Sequence, residues 1–240
     1  MNDTPTVTKN LIIINLLCFF GAFVAERYGI DLNDVLGLHY FESEKFRLYQ
    51  LFTYMFMHSG FEHIFFNMFA VWMFGRILET VWGPSRFLFY YVLCGVGAGL
   101  VQEVAQYFDF MPYMADMAQL STYASDAVIP IHGVSHTAAQ WLTMYERVIS
   151  VSTVGASGAV YGILLAFGML FPNSQMYVFP IPFPIKAKFF VIGYAVIELV
   201  LGMSQTADGV AHFAHLGGMI FGFLLILYWK KKRRNGPFYY

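Results

Sequence analysis

Charge is what this sequence has least of. Among 240 residues there are 14 Lys/Arg and 15 Asp/Glu, or 12% of the chain, where an average soluble domain has about 25%. The net charge of -1 leaves no basic surface for nucleic acid, and no GxxxxGK[ST] loop offers a phosphate cradle. Cysteine is nearly absent too. Cys18 and Cys94 are the only two, which excludes a zinc ribbon or a disulfide framework. Both fall inside apolar runs, where cysteine behaves as a small buried hydrophobe. An HExxH zinc motif is missing, and no aspartate lies deep in an apolar run. No Ala-x-Ala cleavage site follows the first run near Leu11, so that run reads as a retained span.

What replaces charge is apolar surface. AVILMFWYC residues make up 58% of the chain and the mean hydropathy is +0.56, which overrules a soluble domain. A spanning helix needs about 20 apolar residues. Six runs fit that length, about 10–28, 60–82, 86–107, 151–171, 187–205 and 209–229. The expected fold is therefore all-α, a polytopic bundle of six transmembrane helices in one membrane domain. Residues 108–150 read as a long extracytoplasmic loop. Within it Trp141, Leu142, Tyr145 and Val148 recur at helical spacing, predicting a short amphipathic helix over 138–148.

Lysine and arginine set the orientation. If there are six spans, both termini share a side with the 2–3 and 4–5 connections. That side holds 10 of the 14 basic residues: Lys9, Arg76, Arg86, Lys186, Lys188 and the run Lys230–Arg234. The other side holds 12 of the 15 acids. Both ends are expected in the cytoplasm, with 230–240 as a basic tail anchored beside an anionic leaflet. A bacterial cell membrane is the expected location.

Polar side chains inside spans are costly and mark function by default. The fourth run opens Gly155-Ala156-Ser157-Gly158, with Tyr161 four residues on and stacked on the same face as Ser157. The glycines uncover the hydroxyl, and Gly158 and Gly162 repeat the small-residue spacing of packed helices. In the sixth run His215, Gly218 and Gly222 share one face, so His215 can approach a glycine-rich neighbour. There it could accept the Ser157 proton, activating a nucleophile without a standing charge. His63 and Asn67, four apart in the second run, are donors suited to an oxyanion. Nucleophile, base and donors all follow outer loops and converge on one side.

This set resembles the rhomboid intramembrane serine proteases: Gly-x-Ser-Gly at 155–158, Ala-His-x-x-Gly at 214–218 and His-x-x-x-Asn at 63–67. The resemblance covers about 45–229 and implies a rhomboid-like bundle. It implies that Ser157 is the nucleophile and His215 its base, a dyad without an aspartate. Tyr161 would pack against the histidine, and His63, Asn67 and the Ser157 N–H would form the oxyanion hole. The implied activity is a serine endopeptidase acting on transmembrane-helix substrates within the lipid bilayer, with no cofactor and no metal. One departure stands in the loop before the second span, where Tyr49-Gln50 replaces the family's frequent Trp-Arg.

Rival readings are weaker. A catalytically silent adaptor that binds membrane helices is the alternative, opposed by the intact serine and histidine. A transporter with an inverted repeat would want paired broken helices, and none is visible. Glu198, mid-span, reads as an interior hydrogen-bonded structural group that could be protonated, in preference to a proton path. Asp208 reads as a cap of the sixth span, and Glu79 as an anchor of the second span's cytoplasmic end. His212 and His215 as a metal pair lack a matching acid cluster. No chemistry is assigned to His132 and His136.

Overall fold

The computed structural model describes residues 4–131, 134–178, 182–204 and 210–235. Helix α1 (Thr6–Glu26) is followed by a loop region carrying two short helices, α2 (Leu32–Leu36) and α3 (Gln50–Thr53). The second run is one long rod: α4 (Phe61–Ala70), a π turn (Val71–Gly75) and α5 (Arg76–Trp82). Gly83, at φ +79°, then reverses the chain, and Pro84 opens α6 (Pro84–Leu120) at a position where its missing N–H costs nothing. Helices α8 (Ser157–Leu170), α9 (Ala187–Met203) and α10 (His212–Asn235) complete the bundle. Two two-stranded hairpins are the only sheets among the described residues: β1 (Val128–Ile131) with β2 (Val134–Thr137), and β3 (Gln175–Met176) with β4 (Ile185–Lys186). The chain is thus an all-α membrane protein.

Two boundaries differ from the sequence expectation. Helix α6 does not stop near 107. It continues to Leu120 for 37 residues, about 55 Å, well beyond the roughly 30 Å of a hydrocarbon core. The segment 108–150 is accordingly a folded extension. The β1–β2 hairpin leads into α7 (Ala138–Ile149), whose first turn is closed by a reciprocal Thr137–Gln140 capping box. Trp141 and Tyr145 pack with Leu120 and Ala138 in a small second core, and the Trp141 indole donates to the Ile129 carbonyl at 2.9 Å. Val148, expected on that apolar face, is exposed. His132 lies outside the described residues.

The second difference is the start of the fourth helix. Residues 151–156 are not helical: Thr153 pairs with Leu38 in an isolated bridge, through N–H···O bonds of 2.7 and 2.9 Å. Helix α8 therefore begins at Ser157 and runs only 14 residues, about 21 Å. Four described helices are long and apolar enough to cross a membrane: Thr6–Glu26, Phe61–Trp82, Pro84–Leu120 and His212–Lys232. Helices α8 and α9, at 14 and 17 residues, are shorter.

Small residues bring α6, α8 and α10 into backbone contact. A Cβ on Gly218 would strike the Gly158 carbonyl, and one on Gly162 would lie 2.6 Å from Cys94 Sγ. Gly222 makes room for the Tyr90 hydroxyl, which donates to the Gly162 carbonyl at 2.7 Å. Stability at the other end rests on Glu79, which is buried. Its carboxylate accepts from the N–H groups of Val7 and Thr8 (2.9 and 2.7 Å) and from Thr8 Oγ1 (2.8 Å), so it caps α1 from across the bundle. Alanine there strands those donors, each at about 1–3 kcal/mol. Glu79→Ala should lower the thermal midpoint in detergent by several degrees, whereas Glu62→Ala, exposed on the same rod, should leave it unchanged.

Candidate active site

Ser157 stands at the first position of α8, where the N–H groups of the opening turn have no intrahelical acceptor. The loop that delivers it is fixed by the Thr153–Leu38 bridge and by Gly155 N–H donating to the Tyr54 carbonyl at 2.9 Å. Gly155 itself adopts φ +128°, a conformation that L side chains rarely take. From α10, His215 Nε2 lies 2.9 Å from Ser157 Oγ. The glycine contacts between α8 and α10 described above are what allow this approach. Tyr161, one turn after Ser157, stacks its ring on the His215 imidazole, with centroids 4.2 Å apart and planes 7° from parallel.

Of the two residues from α4, His63 is the one that meets the serine loop. A Cβ placed on Gly155 would sit 2.6 Å from His63 Nε2 and 3.6 Å from Ser157 Oγ. Lacking a side chain, Gly155 thus lets the His63 ring close onto the backbone beside the hydroxyl. Ser59 Oγ is 3.0 Å from His63 Nδ1. When that hydroxyl donates, Nε2 carries the ring proton and faces Gly155. Asn67 is buried, and its Nδ2 has no hydrogen-bond partner. An unpaired buried amide donor is expensive, and it is what a site awaiting an anion would contain. His58, in the loop before α4, lies beside His63 with ring centroids 5.0 Å apart. Burial, with His63 as its neighbour, pushes its imidazole down to about 3. It therefore stays neutral and adds no charge beside His63 at physiological pH.

Glu198 on α9 is the residue whose place sequence reasoning did not foresee. It is buried and hydrogen-bonded, yet its partners belong to the site. Oε2 lies 2.7 Å from His212 Nδ1 and 3.0 Å from His215 Nδ1, and Oε1 accepts from the Tyr161 hydroxyl. The acid that a His212–His215 metal pair lacked in the sequence is present here, with the three donor atoms within 4.8 Å of one another. The 2.7 Å His212 contact is a hydrogen bond, whereas His215 Nδ1, at 3.0 Å, meets the carboxylate outside hydrogen-bond alignment. Asp208 lies outside the described residues. The Tyr49-Gln50 departure is accommodated locally. Gln50 is buried and donates from Nε2 to the carbonyls of Val35 and Lys45, at 3.2 and 3.1 Å, while its Oε1 accepts from Arg47 N–H at 3.0 Å.

A serine hydroxyl 2.9 Å from an imidazole, at a helix N-terminus whose first N–H groups have no intrahelical acceptor, is the layout of a serine hydrolase centre. Here it lies among the apolar helices of a membrane protein. The chain belongs to the rhomboid family, whose domain model matches residues 45–232. It is 26% identical over 234 residues to the putative rhomboid protease YdcA of Bacillus subtilis, covering 96% of this chain and 92% of that one. It is 24% identical to the rhomboid protease GluP of the same organism, over 92% of this chain and 34% of that protein. Against the mitochondrial rhomboid protein 1 of Saccharomyces cerevisiae it is 27% identical, over 70% and 38% respectively. The chain thus spans little more than a third of two of these three relatives.

Proposed function

We propose that this protein is a serine endopeptidase that hydrolyses peptide bonds in or near transmembrane segments of other membrane proteins. The observation that carries the reading is the 2.9 Å contact between Ser157 Oγ and His215 Nε2. Ser157 gives its proton to His215 as Oγ bonds to the scissile carbonyl carbon. The resulting oxyanion is held by the Ser157 N–H, His63 Nε2–H and the Asn67 amide. Its collapse breaks the C–N bond, and His215 returns the proton to the leaving amine. Water, deprotonated by the same imidazole, then releases the acyl group from Ser157. Tyr161 holds the imidazole plane through its stacked ring.

In this reading α8 and α9 are the fourth and fifth crossings, giving six spans. The short α8 starts below the outer face and sinks Ser157 to the depth of a substrate's helix end. The asymmetry of lysine and arginine supports cytoplasmic termini and a site that opens to the opposite side. The family likeness adds a preference for small side chains before the cleaved bond and helix-weakening residues beyond it.

The test uses the full chain in liposomes with a single-span reporter protein carrying such a segment. Wild type should yield two fragments whose masses locate the cut, and Ser157→Ala should yield none. Equal product from both proteins would sink the assignment. Retention of uncut reporter by wild type and Ser157→Ala alike would favour the silent adaptor.

A further inference from the structure

Resting on that reading, we infer that Glu198 is a positioning residue for His215, so that the site works as a serine–histidine–glutamate relay bridged across α8, α10 and α9. For His215 to take the Ser157 proton at Nε2, its resting proton must be on Nδ1. That Nδ1 is 3.0 Å from Glu198 Oε2. An ionised carboxylate only accepts: the Tyr161 hydroxyl donates to Oε1 and His212 Nδ1 hydrogen-bonds Oε2, while His215 Nδ1 meets Oε2 at 3.0 Å as a charge contact outside hydrogen-bond alignment. A proton on His215 Nδ1 faces that carboxylate, and this is the tautomer catalysis requires. His212 matters because it holds the carboxylate in place at 2.7 Å. Tyr161 both stacks on His215 and ties down the other oxygen of Glu198, so ring and carboxylate are fixed by the same side chain.

The charge argument agrees with the geometry. When Nε2 accepts the serine proton, an imidazolium forms in a buried place. Among the described residues, the groups facing it are Ser157 and Tyr161 from α8, His63 from α4, His212 on its own helix and Glu198 from α9. Helix α6 meets this stretch of α10 with Ala98 and Val101, which carry no charge. Glu198 is the sole anion among them, and no proton needs to reach it. Its role is to hold the ring and stabilise the cation, as a triad acid does.

The experiment compares wild type, Glu198→Gln and Glu198→Asp in the reporter assay, together with the rate at which a fluorophosphonate labels Ser157. Glutamine keeps the shape and removes the charge. It should lower kcat by at least about tenfold, towards the roughly 10⁴ seen when a triad acid becomes an amide, with KM within about twofold and an unchanged thermal midpoint. Its labelling rate should fall in parallel. The acid limb of its kcat/KM profile should move to lower pH, because the imidazolium has lost its counter-charge; a merely structural role would not move that limb. Aspartate restores the charge on a shorter arm and should recover part of kcat. Should the glutamine variant fail to fold, Glu198→Asp carries the test alone, and a reduced kcat at constant KM supports the inference.

Wild-type kcat and an unmoved acid limb in Glu198→Gln would overturn the inference while leaving the protease reading intact. So would loss of wild-type activity on chelation with recovery on adding Zn²⁺, which would assign Glu198, His212 and His215 to a metal. A wild type in which Ser157 neither cleaves nor labels would overturn the protease reading itself, and this inference with it.

Discussion

Ser157→Ala, His215→Ala and the double variant should all fall to the same residual rate. In the proposed mechanism the hydroxyl and the imidazole, 2.9 Å apart, act as one unit: without the base the serine keeps its proton, and without the serine the base has nothing to activate. Where such units have been dissected, removing either member alone costs about as much as removing all, around 10⁶ in kcat. Independent contributions would instead multiply. The measurement is kcat for the reporter protein from each variant, with thermal midpoints to show that all three fold. A double variant slower than either single one by the product of their losses would mean that His215 acts elsewhere. A His215→Ala protein with substantial activity would assign the base to another group.

Asn67→Ala should lose about 10²–10³ in kcat, equivalent to roughly 2.7–4 kcal/mol of transition-state stabilisation, and little thermal stability. Two observations set that expectation. The Asn67 amide nitrogen is buried without a partner, so deleting it breaks no donor contact in the resting protein. Gly155, where any side chain would meet His63 Nε2, lets the other α4 donor come close to Ser157. A donor that gains its acceptor only when the carbonyl becomes tetrahedral acts on kcat rather than KM. Unchanged kcat with a lowered thermal midpoint would make Asn67 helix–helix glue. His63→Ala is a less selective change, because His63 also bonds Ser59 and packs against His58.

The same two residues show what can be read from a sequence. His63 and Asn67, and likewise Ser157 and Tyr161, are four apart, and in a helix that spacing places them on one face whatever lies around them. Membrane class follows just as locally, from apolar runs and scarce charge. Helix ends are less legible. The run 151–171 is apolar enough for one helix, but a backbone bridge from Thr153 to Leu38, 115 positions earlier in the chain, makes its first residues extended. That is why Ser157 comes to stand at a helix N-terminus. Likewise nothing in the composition after residue 107 announces that α6 continues through Pro112, because the side chains that retain it, Tyr113 and Met117, pack on α7 and the hairpin beyond.

Glu198 marks the boundary between the two kinds of information. Its type and mid-span place were evident from the chain alone, enough to mark it as an interior, hydrogen-bonded group. Its neighbours were not, because they depend on how α9 is rotated and shifted against α8 and α10. That register is settled by contacts between distant segments, such as the backbone approach of Gly158 and Gly218. The sequence by itself determined the membrane class, the faces of the helices and the residue types able to do the chemistry, since these follow from covalent spacing and solvation. Only the tertiary structure decided where α8 begins and which carboxylate faces His215, since both are set by packing between helices far apart in the chain.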